Sequence, residues 1–147
     1  MKMNLSHLNY FNINNNFVNN FVNVYEMDIR INGENILIVL LKYDDDKFSF
    51  DCSTEDFKKL NTLHLDSFSF KVNVYNKVGD LVRRIYYSDC NYSEFNSEVS
   101  SSDVFGFYTI NMRVKYFKST KVPFEHINGY ERELKLERIL SKDGDNK

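Results

Sequence analysis

The chain has no tryptophan, one proline, five glycines and two cysteines in 147 residues. Cys52 and Cys90 are too few for a disulfide scaffold or a four-thiolate zinc site, and they read as small buried thiols. His7, His64 and His126 lie far apart and share no ligand spacing with the cysteines, so no metal site is expected. No glycine-rich loop could cradle a phosphate, and no serine sits in a nucleophile-elbow pattern. Carboxylates are plentiful, but none lies in an apolar setting that would raise its pKa. Catalytic residues and cofactors are therefore both read as none. Charge of one sign is also lacking. Nineteen Lys and Arg against 21 Asp and Glu leave a formal net charge of −2, which is no footprint for gripping phosphate backbones. The longest apolar run, Ile36 to Leu41, is a strand's worth and far short of the roughly 20 residues that cross a bilayer, so no membrane partner is expected. Asparagine interrupts the N-terminal stretch where a secretion signal would carry its apolar run. Synthesis and folding in a reducing cytoplasm are the expectation.

What is present is aromatic and alternating. Thirteen Phe and ten Tyr help raise the hydrophobic share to 42%, enough for a core in one domain of this length. Three segments follow from the pattern: an Asn-rich arm or helix at 1–20, a β-sandwich domain at 21–122, and a C-terminal helix with a solvated tail at 123–147. In the first, Tyr10, Ile13, Phe17 and Phe21 fall at helical spacing, but asparagine prefers caps and turns, so helix and arm stay open.

From Phe21 the period becomes two. Tyr25, Met27, Ile29 and Ile31 point one way, and Glu26, Asp28 and Arg30 point to a wet face. Asn32-Gly33 is a type I′ hairpin signal. The return strand, Ile36 to Tyr43, is apolar on both faces for six residues and is expected to be central and covered on both sides. Asp44-Asp45-Asp46-Lys47 turns the chain into Phe48–Cys52. Three adjacent Asp side chains cannot converge on one calcium ion; they read as a solvated hairpin tip. Ser53 to Asp56 opens a short helix through Phe57 and Leu60. Phe68, Phe70, Val72 and Val74 alternate with Ser69, Lys71 and Asn73, and Gly79-Asp80 leads into Leu81–Tyr87. Ser97 to Asp103 is expected to be a polar loop. Tyr108, Ile110, Met112, Val114 and Tyr116 then alternate inward against Thr109, Asn111, Arg113 and Lys115. Pro123 ends the β region, and Tyr130 to Leu140 reads as a helix with a narrow apolar stripe, docking weakly or on another chain. The fold class is mainly β, antiparallel sheets of sandwich or barrel-like form, with one short flanking helix and a C-terminal helix.

The second β block carries a resemblance. Phe70-Lys71-Val72-Asn73-Val74-Tyr75, the Asn76-x-x-Gly79 turn into Asp80-Leu81-Val82-Arg83-Arg84-Ile85-Tyr86, the small polar Ser101-Ser102-Asp103-Val104 and the closing strand Tyr108 to Phe117 together resemble the C-terminal half of contractile-tailed bacteriophage tail-tube proteins. The hairpin of Val24–Ile31 with Ile36–Tyr43 is similar to that family's opening strand pair. The chain departs from it in lacking Trp, in a middle segment cut to Ser53–Asp66, and in the charged helix after Pro123. The resemblance implies a virion structural protein of the tube or its baseplate end. Six copies would close a ring, rings would stack into a conduit, and DNA would pass without specific binding. Assembly would take place in the host cytoplasm, with self-association and other tail proteins as partners. Asp44, Asp45, Asp46, Lys47, Phe17 and Phe21 are the candidate subunit-interface residues. The alternative is a monomeric β-sandwich module binding a carbohydrate or peptide, favoured if Tyr86, Tyr87 and Tyr92 are exposed together beside polar groups.

Overall fold

The structure, a computed structural model, describes residues 23–99 and 107–145. The candidates Phe17 and Phe21, and the helix or arm at 1–20, lie outside the described residues.

Eight strands follow the order β1 (Asn23–Ile31), β2 (Glu34–Val39), β3 (Lys42–Asp44), β4 (Lys47–Ser53), β5 (Phe68–Asn76), β6 (Leu81–Val99), β7 (Phe107–Lys115) and β8 (Lys118–Pro123). Helix α1 (Thr54–Asn61) and a 3-10 turn (Thr62–Leu65) separate β4 from β5, and helix α2 (Ile127–Asp145) follows β8. All pairings are antiparallel, in the order β2-β1-β5-β6-β7-β4-β3, with β8 also on β6. The fold is thus mainly β with one short and one C-terminal helix.

The 19-residue β6 is the spine. Its first half lies between β5 and β8, and its second half pairs with β7. The register runs on from Val99↔Tyr108 through Asn91↔Lys115 to Ser88↔Lys118 and Arg83↔Pro123, so β7 and β8 lie end to end along one side of β6. The Phe117 amide keeps that ladder continuous by donating to the Ser88 carbonyl at 3.0 Å. Asp89, at φ 52°, and a register shift between Tyr92 and Glu94 bend the spine. That bend folds the sheet over its own interior.

The alternating apolar residues meet inside. Met27, Val72, Phe50, Leu60, Cys90 and Ile110 are wholly shielded from solvent, and each large side chain so buried contributes roughly 1.5–3 kcal/mol. The β1–β2 turn takes the expected form, with Asn32 at φ 52° and Gly33 at φ 83°. Ser53 caps α1 by accepting from the Asp56 amide at 3.1 Å.

Four expectations are corrected. The run from Ile36 does not form one central strand: β2 is an edge strand ending at Val39, Leu37 is 44% exposed, and the chain turns at Leu40–Leu41 into β3 at the far end of the sheet. Val39 and Leu40 are both buried because a second apolar cluster under α2 takes Val39 while the main core takes Leu40. Ser97 to Val99 belong to β6 because β7 supplies a full ladder through Val99↔Tyr108; residues 100–103 lie outside the described residues. Glu26 is not on a wet face: it is 3% exposed, for a reason that α2 supplies. The helical backbone also extends past Leu140 to Asp145.

Candidate subunit-interface surfaces

Helix α2 covers one end of the sheet's outer face. Ile127 packs with Val24, Val39, Tyr75, Leu81 and Val122, flanked by Tyr86 and Tyr130. Polar groups trapped beneath it form a connected chain. The Glu26 carboxylate accepts from Asn73 Nδ2 at 3.0 Å and from the Tyr75 hydroxyl at 3.3 Å. Arg84 Nε donates to Asn73 Oδ1 at 2.6 Å and its Nη1 to Glu131 Oε2 at 2.8 Å. The Tyr86 hydroxyl donates to the same Glu131 oxygen at 2.5 Å, and Lys71 Nζ stands 3.6 Å away. Burial works to raise the Glu131 pKa, but the Tyr86 hydrogen bond and the Lys71 and Arg84 charges outweigh it and hold the carboxyl below its ordinary value. Burial, chiefly, pushes the Tyr75 phenol up to about 12, with the Glu26 charge adding to it. The composition gave no sign of this network. Its members Glu26, Asn73 and Arg84 read in the sequence only as ordinary polar positions within strands.

A cleft of about 730 Å³ opens between the distal part of α2 and the strands, lined among others by Arg30, Lys71, Lys118, Leu134, Lys135 and Arg138. The opposite side of the helix presents Leu136, Ile139 and Leu140, which are exposed.

The hairpin tip is held firmly. Asp45, at φ 51°, turns the chain between β3 and β4. The Tyr87 hydroxyl donates to the Asp45 carbonyl at 2.7 Å, the Tyr116 hydroxyl to the Asp45 carboxylate at 2.9 Å, and the Val114 amide to the Asp46 carbonyl at 3.0 Å. Tyr43 and Tyr87 share a hydrogen bond through their hydroxyls, and Arg113 lies 3.7 Å from Asp46. Asp44, Asp45 and Lys47 nevertheless expose their side chains. The four sequence candidates Asp44 to Lys47 therefore sit together on one rigid turn.

Four strand edges are open among the described residues: those of the terminal strands β2 and β3, and one each on β6 and β8. From Ser93 to Val99, β6 is paired with β7 and has no strand on its other side, and Val99 is 76% exposed. The outer edge of β8 likewise has no strand partner.

Tyr86, Tyr87 and Tyr92 do not form an exposed aromatic group. Tyr87 is 1% exposed inside the core, Tyr86 lies against Tyr130, and the Tyr92 hydroxyl donates to the Leu60 carbonyl at 2.8 Å. Both thiols are buried, and that burial pushes each pKa up to about 12, far from the reactive thiolate range. His64 packs edge-on against Tyr92 and Phe95. Among the described residues no three His, Cys, Asp or Glu side chains gather as metal ligands, and no helix is long and apolar enough to cross a membrane.

The surfaces define a class: a curled antiparallel sheet with a docked helix and unpaired strand edges. No family model matches the chain, and no curated protein matches it in sequence. Solved structures similar to it include an Hcp protein, with a TM-score of 0.43 and 10% identity over 69% of this chain and 99% of that one. Hcp1 from Flavobacterium johnsoniae gives 0.44 and 9% identity over 69% and 94%. The sheath-tube complex of an extracellular contractile injection system in its extended state gives 0.36 and 11% identity over 71% and 90%.

Proposed function

We propose that this chain is a structural subunit of a contractile-tail-type tube or of its baseplate end. Copies join their sheets around a closed ring, with six per ring, and rings stack into a conduit through which DNA passes unbound. The observation that carries the reading is the edge of β6 from Ser93 to Val99, together with that of β8, both without a strand partner among the described residues. Unpaired strand edges recruit another chain, and closing sheets into a barrel removes the edges altogether. The strand and turn pattern from Phe70 to Phe117, which resembles tail-tube proteins, supports the same reading. The particle would be a virion tail, with the other tail proteins as further partners. No reaction is assigned to it.

Native mass spectrometry of the purified chain, with negative-stain microscopy, tests this. A ring-sized oligomer, with six copies as the expected mass, supports it. A monomer at all accessible concentrations, with no rings or tubes in the images, overturns it.

A further inference from the structure

The cleft beneath the distal half of α2 is basic. Arg30, Lys71, Lys118, Lys135 and Arg138 line it against two acids, Asp28 and Glu131. Glu131 is engaged by Arg84, Tyr86 and Lys71, and Asp28 accepts from Asn35 at 3.1 Å. Among the described residues, Lys118, Lys135 and Arg138 make no ion pair, and Arg30 makes only a hydrogen bond to Asn35. On a chain whose net charge is −2, this is a local excess of positive charge, five cations against two carboxylates. The β3–β4 turn offers the reverse: three consecutive acids, of which Asp44 makes no ion pair or hydrogen bond among the described residues and Asp45 gives one carboxylate oxygen to Tyr116.

The two surfaces stand back to back. Successive side chains of a strand point to opposite faces. Tyr87 of β6 packs in the main core and its hydroxyl reaches the Asp45 carbonyl, while its neighbour Tyr86 packs against the cluster under α2 and hydrogen-bonds Glu131 there. One copy therefore cannot bring its own turn into its own cleft, but a neighbour can. We infer that the Asp44–Asp46 turn of one copy seats in the basic cleft under α2 of the next. Such a contact is heterologous, joining two different patches, which is the kind that closes rings or propagates along stacks. It rests on the ring reading above for its second copy. A cleft of this volume lies within the range that ordinarily holds a compact ligand, and complementary charge across an interface fixes which patch meets which.

The test uses two full-length variants, Asp44→Cys and Arg138→Cys, carrying different affinity tags and mixed under mild oxidation. The native thiols are buried, so linkage reports the new ones. The expected result is a disulfide-linked dimer carrying both tags, at least about fivefold above that from either variant alone, as charge-matched patches are brought together preferentially. Adding Lys118→Glu to the Arg138→Cys partner should lower that yield, and Asp45→Lys on the other partner should restore part of it. If native mass spectrometry finds the oligomer but the mixture links no better than either variant alone, the contact is wrong and the ring reading stands. If the chain stays monomeric and unlinked, both fall.

Discussion

Single residues in β7 separate the two faces of the sheet most cleanly. Ile110 and Met112 are buried while Asn111 is exposed, its Oδ1 accepting from Ser49 Oγ at 2.5 Å. Placing Asp at 110 or 112 buries a charge with no partner, which costs several kcal/mol, and should leave the chain unfolded or nearly so. Asn111→Asp keeps an acceptor facing Ser49 and should change stability by less than about 0.5 kcal/mol. Circular dichroism melting of the two variants side by side checks this, and equal losses would mean that the faces are assigned wrongly. Thr109, though it too faces outward, is a poorer control than its strand position indicates. Its hydroxyl donates to Asp51 at 2.7 Å, so an Asp there would set two carboxylates together. The cysteines supply a second residue-scale expectation. With both thiols buried and their pKa values near 12, a thiol reagent at pH 8 should label neither in the folded chain. Both should label promptly once denaturant exposes them, since only the thiolate reacts.

At the scale of elements, α2 hangs on few contacts: Ile127 and Tyr130 in an apolar cluster, and Glu131 with Arg84, Tyr86 and Lys71. Glu131→Gln should weaken docking by about 1–2 kcal/mol, less than for a fully buried pair because Glu131 is one-third exposed. Hydrogen exchange should then rise across 127–140 while β5 and β7 stay protected. The same carboxylate gives docking an acid limit. Its folded pKa is depressed, so its contribution is complete above the unfolded value of about 4.3 and is lost as pH falls through the lower folded value. Exchange in α2 should therefore rise below about pH 4 before the sheet melts, and the Gln variant should lack that step. This helix also marks where the sequence stops being legible. Strands with strict alternation, the Asn32-Gly33 turn and the Ser53 cap were readable because each is decided by its own residues. Burial of Glu26, Asn73 and Arg84 was not, because a helix about fifty residues or more further along the chain covers them. The edge position of β2 was hidden by an apolar run that continues past the strand's end and feeds two clusters. Lys118–Pro123 carries only one buried apolar residue, Val122, and its strand exists because β6 offers it a backbone ladder.

For the whole molecule, the decisive feature is a sheet whose edges carry no further strand among the described residues. The candidates Asp44 to Lys47 could be located on one turn, whereas the free edge of β6 could not be read from residues that looked like a serine-rich loop. That edge bears Ser93, Glu94, Asn96, Ser97 and Glu98 with almost no positive charge, and lysine is the residue most often used to keep edges from pairing. Adding it is the direct test of whether the edge matters. Ser97→Lys with Val99→Lys changes two exposed side chains and leaves the pairing with Ile110 and Tyr108 intact through the backbone. The melting temperature of the isolated chain should move by no more than a couple of degrees, as for surface substitutions in general. Assembly should behave differently. Two lysines per copy would place like charges at every junction of a closed ring, so their effect multiplies with copy number while the fold feels it once. On the proposed ring reading, the expected outcome is a chain that is normally folded by circular dichroism but monomeric in native mass spectrometry, where the unsubstituted chain should give rings. Rings that persist undiminished in the lysine variant would show that the sheets are not joined along β6, and the junction would have to lie along β8, β2 or β3.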